Sequence, residues 1–185
     1  MKESLSLKER LMLANQYEIL AKLINDEDEK RYYENLRDVF VSGFSMYYSL
    51  ATEHFSDEMS YEECRFVIDV LNMYRILYYS WKNNEEIKEN IEEREVLFKG
   101  FDLNDDLESR YYSFCEFLVK NLGRYSEIKE LIEVGKIESL NSHGFGPSME
   151  KLSRMVEKSK ELDKIRHERN DFYFTKEEIE EILNA

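Results

Sequence analysis

Residues 64–81 read CRFVIDVLNMYRILYYSW, the longest dense apolar run in an otherwise acidic chain of 185 residues. Cys64, Val67, Leu71, Tyr74, Tyr78 and Trp81 recur at alternating intervals of three and four, so they stack on one helical face. Phe66, Val70, Met73 and Leu77 form a second row beside the first. Together the two rows cover roughly half the circumference, wider than the ~100° stripe of an ordinary surface helix. Arg65, Asp69, Asn72 and Arg75 take the remaining side, interrupted by Ile68, Ile76 and Tyr79. A helix so nearly apolar all round requires neighbours on several sides. Ser60 and Glu63 supply a capping box at its start. The stretch 60–82 is therefore predicted to be the buried central helix of a mainly α, multihelical fold, with 1–185 as a single domain.

Composition supports a folded core. Hydrophobic residues make up 42% and aromatic residues 14% of the chain, which offsets a charged content of 36%. Thirteen tyrosines stand against one tryptophan. Four Tyr-Tyr pairs occur, at 32–33, 47–48, 78–79 and 111–112. Neighbouring positions on a helix point about 100° apart, so each pair can set one ring inward and one toward a rim or partner.

The net charge of −14 opposes general binding to a phosphate backbone, so a nucleic-acid partner is not expected. No stretch is rich in Lys and Arg without Glu beside it. The two cysteines, Cys64 and Cys115, sit at apolar helical positions and read as reduced, buried thiols. No Cys/His spacing suits zinc, and neither a metal nor a cofactor is expected. MKESLSLKERLML lacks the apolar core of a signal peptide, and no segment approaches the ~20 apolar residues of a membrane span. A cytoplasmic protein without a membrane partner is the expectation.

Further helices are predicted over 5–25, 28–42, 105–122, 126–134 and 147–169, with a last one capped by Thr175 and Glu178. In the first, Leu7, Leu11, Ala14, Tyr17, Leu20 or Ala21, and Ile24 form the expected inward stripe. Gly43 and Gly123 suit helix ends that need positive φ. Pro147 suits the first position of its helix. Residues 44–55 have a mixed periodicity that fits a short helix or a short strand. The helix is preferred, because a lone strand leaves its backbone groups unpartnered.

With these segments placed, the chain resembles the YfbU family of small bacterial proteins. The resemblance lies in Asn15-Gln16-Tyr17; in Cys64, Arg65, Ile68, Asp69, Met73, Tyr74 and Trp81; in Phe98, Gly100-Phe101-Asp102 and Arg110-Tyr111; and in Gly123-Arg124-Tyr125, His143-Gly144-Phe145 and the ending from Glu178 to Ala185. Segments 83–93 and 127–142 look longer than the family pattern, and 159–171 more charged. The resemblance implies a largely helical protein without an established activity, and it supplies no catalytic residues.

Candidate sites then rest on residue chemistry. In His143-Gly144-Phe145-Gly146-Pro147, Gly144 and Gly146 permit close backbone approach, and His143 suits proton transfer near neutral pH. The same loop also fits a plain helix–helix connection. Arg65 and Asp69 lie four apart on the central helix, as a pocket lining or as an ion pair that orients the helix. Asp102 and Arg110 fit a capped turn, and would suggest chemistry if Asp102 met His143. Arg124 has many glutamates to pair with. Two functions follow. The first is a self-associating interaction or regulatory module, a homo-oligomer or a binder of another protein, motivated by the tyrosines and broad apolar faces. The second is a small-molecule or phosphate-handling enzyme using the His143 loop with Asp69, Asp102, Arg65 or Arg110.

Overall fold

A computed structural model describes residues 4–185. It divides into two compact units, one up to Glu58 and one from Met59 onward.

The first unit is a helical hairpin followed by a short tight helix. Helix α1 (Leu7–Leu23) begins at Ser6, whose side chain accepts from the Glu9 amide while Glu9 returns the bond. Helix α2 (Glu27–Ser42) is capped by Asp26, and ends where Gly43 turns to φ +74°. Residues Ser45–Ala51 form a 3-10 helix, so the stretch with mixed periodicity is helical there and runs on into a turn over 52–54. The core of this unit is a ladder of rings. Tyr33, Tyr17, Phe40 and Tyr48 stack in succession, with centroids 6.1, 5.7 and 5.3 Å apart. Arg10 closes the end of α2, donating to the Phe40 and Val41 carbonyls at 2.7 Å each.

Helix α1 departs from the expected stripe. Ala14 and Ala21 are buried and Tyr17 is half-buried, but Leu7 and Leu11 are exposed. On the side away from α2, Met12, Ile19 and Leu23 are 63%, 57% and 71% exposed. With Gln16 they follow a 4-3-4 spacing, the pattern of a helix–helix seam. Apolar side chains thus run round most of α1, and α2 covers only part of them.

The second unit is organised on α3 (Tyr61–Lys82), which opens with the Ser60–Glu63 capping box. Val67, Val70, Leu71 and Leu77 have no exposure at all. Around α3 pack α4 (Glu85–Asn90), α5 (Glu93–Val96), α6 (Asp106–Glu116) and α8 (Met149–Glu168). Between them run α7 (Ser126–Glu133) and the closing α9 (Lys176–Leu183), with Thr175 and Glu178 in the expected capping box. Ser80, fully buried, donates to the Ile76 carbonyl at 2.7 Å and accepts from the Phe174 amide at 2.9 Å. That hydroxyl ties the segment before α9 to the central helix. The Trp81 indole does the same for the segment after α4, donating to the Ile91 carbonyl at 2.8 Å.

Two helix ends differ from expectation. The helix predicted over 105–122 is α only to Glu116, and Phe117–Asn121 forms a π turn. The wider turn inserts one residue into the register, so Leu122 lies half exposed instead of continuing the face of Tyr111, Cys115 and Leu118. Pro147 stands two residues before α8, because Ser148 takes the cap and accepts from the Lys151 amide. Three of the four tyrosine pairs split as expected: Tyr48, Tyr78 and Tyr111 are buried, while Tyr47 is exposed and Tyr79 and Tyr112 are partly so. In the fourth, Tyr32 is exposed and Tyr33 half-buried. Neither cysteine is in a disulfide. Burial pushes the Cys115 thiol up to about 12, so it stays protonated and inert.

Candidate functional site

The candidate loop is held by a single parallel bridge between Phe101 and Asn141. The Phe101 amide donates to the Leu140 carbonyl and the Ser142 amide to the Phe101 carbonyl, both at 3.0 Å. Gly100 makes this approach possible. A Cβ there would lie 2.5 Å from the Leu140 oxygen, at a φ of +81° that L residues rarely adopt. From the bridge the chain makes a tight turn over 142–145, closed by the Phe145 amide donating to the Ser142 carbonyl at 2.9 Å. His143 and Gly144 both have positive φ, +50° and +77°, the arrangement of an I′ turn.

The Asn141 side chain defines the state of His143. Its Oδ1 accepts from the Leu103 and His143 amides at 3.2 and 2.9 Å, which orients the amide group. Its Nδ2 therefore faces His143 Nδ1, at 3.2 Å, and donates to it. In the neutral ring the proton is then on Nε2, which leaves His143 a hydrogen-bond donor toward solvent. Asp102 reaches the same turn: its Oδ2 would lie 3.3 Å from a Cβ on Gly144. Its Oδ1 accepts from the Asn104 amide and side chain, both at 3.0 Å. Asp105, not Asp102, caps α6, accepting from the Leu107 and Glu108 amides.

The other candidates lie elsewhere. Asp69, buried, accepts an ion pair from Lys160 at 2.6 Å and from Arg65 at 3.2 Å, linking α3 to α8 at a separate groove. Arg110 reaches back across the fold to Glu63 at 3.0 Å, on the first turn of α3. Arg124 is exposed just before Tyr125, which is buried at φ +55°. The structure thus gathers His143, Gly144, Gly146 and Asp102 at one turn, and leaves Arg65, Asp69, Arg110 and Arg124 away from it.

What surrounds the turn was not visible in the sequence. Two adjoining depressions of about 470 and 510 Å³ share Arg94, Lys99 and Phe145 in their walls. The first adds Lys136 and His143, and the second adds Lys151, Gly146 and Pro147. Four cations from three distant stretches meet there against two carboxylates, Glu95 and Glu138. Arg94 pairs with Glu92 at 2.6 Å and Lys136 with Glu93 at 2.5 Å. Lys99 touches the Arg94 carbonyl. Burial pulls its ammonium below the usual lysine value, opposed by the charge of Glu95. Phe145 projects between the depressions with 92% of its surface exposed.

A second polar cluster went unread because it is spread over 72–127. Arg75 grips Glu127 through two hydrogen bonds of 2.6 and 2.9 Å and lies 4.3 Å over the Tyr125 ring. The Tyr125 hydroxyl donates to Asn72 at 3.0 Å. Glu127 is buried, so this group acts as a polar clamp between α3 and α7. Among the described residues, no group of three His, Cys, Asp or Glu side chains is placed to hold a metal ion. No helix among them is long and apolar enough to cross a membrane.

With this architecture in view, the comparisons with known proteins define the class. The family model of the YfbU domain matches residues 3–185, and the chain belongs to that family. It is 33% identical over 182 residues to a UPF0304 protein of Methanocaldococcus jannaschii, covering 98% of this chain and 99% of the relative. Neither description assigns an activity.

Proposed function

We propose that the protein is a cytoplasmic interaction or regulatory module that self-associates through its first unit, with residues 1–185 acting as one functional domain. One observation carries this reading: the exposed row Met12, Ile19 and Leu23 on α1, spaced as a helix–helix seam around Gln16. A hairpin whose buried core comprises Ala14, Val39, Phe40 and Tyr48 gains by covering such a row. A second copy of the same helix is a self-complementary cover, since apolar residues at this spacing interdigitate with their own kind. The family match across both units supports treating them as one functional domain. Sedimentation velocity at tens of micromolar tests the reading. The expected result is a mass at least twice that of the chain, and a monomer for the double variant Ile19→Glu/Leu23→Glu with helicity unchanged. A monomeric parent protein overturns it.

The catalytic alternative on the His143 loop has less support. Its acid–base partner Asp102 is near, but the Nδ1 atom is engaged by Asn141, and Arg65, Asp69 and Arg110 serve other contacts. Those features suit a loop that binds more than one that reacts.

A further inference from the structure

We infer that the twin depressions astride Phe145 form a binding site for a small organic phosphate carrying a flat ring, a nucleotide in chemical class. The inference does not depend on self-association. Its first support is charge placed against the trend of the chain. The protein carries a net −14, with 40 acids against 26 bases, yet Arg94 and Lys99 line both depressions, Lys136 the first and Lys151 the second. Arg94 and Lys136 are held by carboxylates, Glu92 and Glu93. Among the described residues Lys99 and Lys151 form no ion pair: Lys99 meets the Arg94 carbonyl and feels the Glu95 charge only at longer range. Drawn into the recess with only a more distant counterion, the Lys99 ammonium loses hydration that the Glu95 charge restores only in part. The direction of the Lys99 shift reflects that cost, which a bound anion would offset.

The ring requirement comes from Phe145. A phenylalanine 92% exposed gains nothing for folding, and its faces stay free to stack on a planar group. Its rigid I′ turn holds it on the ridge between the depressions, next to the cations. The Nε2–H of neutral His143 adds a donor on one side. On the other, the positive end of the twenty-residue α8 opens beside Lys151. Size and charge favour a small ligand over a nucleic-acid strand. Each recess lies in the range of ordinary ligand sites, and the acidic surface beyond it repels an extended polyanion.

Isothermal titration of the full-length protein with adenosine monophosphate, ribose 5-phosphate, adenosine and inorganic phosphate tests the site. Saturable binding of adenosine monophosphate is expected, tighter than that of the other three and weakened by added salt. Lys99→Met/Lys151→Met should weaken it at least about tenfold, the loss of roughly 1.4 kcal/mol. Phe145→Ala should abolish the advantage over ribose 5-phosphate while leaving the melting temperature unchanged. Lys160→Met, a distant control, should bind as the parent does. Absence of saturable binding at millimolar nucleotide, or binding indifferent to the lysine pair, overturns the site. Equal affinity for the ringless phosphate overturns the role of Phe145.

Discussion

The two units solve the burial problem differently. The second encloses α3 on several sides, and one continuous core runs from Val67 through Phe98 and Leu118 to Ile182. The first has a ladder of four rings and a hairpin, with large apolar side chains left outside on α1, at Val41, and at Phe44, Met46 and Phe55. Their ion pairs differ in the same sense. Glu127 holds Arg75 from a buried position, whereas Glu18 holds Lys22 and Arg37 at a hydrated surface. An apolar helix is thus not a guarantee of a buried one. Helix α3 has enough neighbours to use its whole girth, and α1 has one inside its own unit.

The strongest test of that contrast removes bulk from the better core. Leu71→Ala, at a position with no exposure, should cost about 4 kcal/mol in chemical denaturation. Amide exchange should show the lost protection in α3, α6 and α8, while α1 and α2 keep theirs. An equal loss in α1 and α2 would mean that the units unfold as one, and the contrast would fail. Next in size is Arg75→Leu, which strands the buried Glu127 carboxylate and should cost about 2–3 kcal/mol, less than a fully enclosed pair because Arg75 is itself partly exposed. If that variant melts like the parent, the clamp between α3 and α7 contributes only geometry.

The smallest effect is expected in the first unit and appears only with pH. Hydrogen bonds from Lys22 and then Arg37 lower the Glu18 carboxyl from 4.5 to about 2. The folded value lies below the unfolded one, so its contribution is complete above about 4.5 and disappears as pH falls toward 2. Solvent screening keeps it slight. Glu18→Gln should flatten the acid limb of exchange protection in α1 and α2, and leave that of α3 unchanged. A steeper acid limb in the variant would sink this account.

Much of the helical framework could be read in advance because its signals are local. Ser60 with Glu63 and Thr175 with Glu178 satisfy amides within one turn of themselves, and Gly43 ends α2 by the backbone freedom of a single residue. The apolar girth of Cys64–Trp81 likewise needed no partner to be recognised. Register after the π turn was another matter. Nothing within Phe117–Asn121 announces the inserted residue, so the helix predicted over 105–122 runs straight through it. On α1 the apolar positions were plain, but which of them lie inward depended on α2 and its rings.

The candidate site divides along the same line. His143, Gly144, Gly146 and Asp102 were recognisable from their chemistry, and the loop does bring them together around the Phe101–Asn141 bridge. Arg94 stands among glutamates in the chain, Lys99 between Phe98 and Gly100, Lys136 between Gly135 and Ile137, and Lys151 beside Glu150, so nothing local joins them. Only folding sets them around two adjoining depressions, where Glu92 and Glu93 pair with Arg94 and Lys136 and leave Lys99 and Lys151 without an ion pair among the described residues. Helix caps and apolar faces follow from interactions over three or four residues, which the chain carries wherever it goes. A charged cleft is a sum over residues far apart in sequence, so its sign is decided by tertiary structure alone.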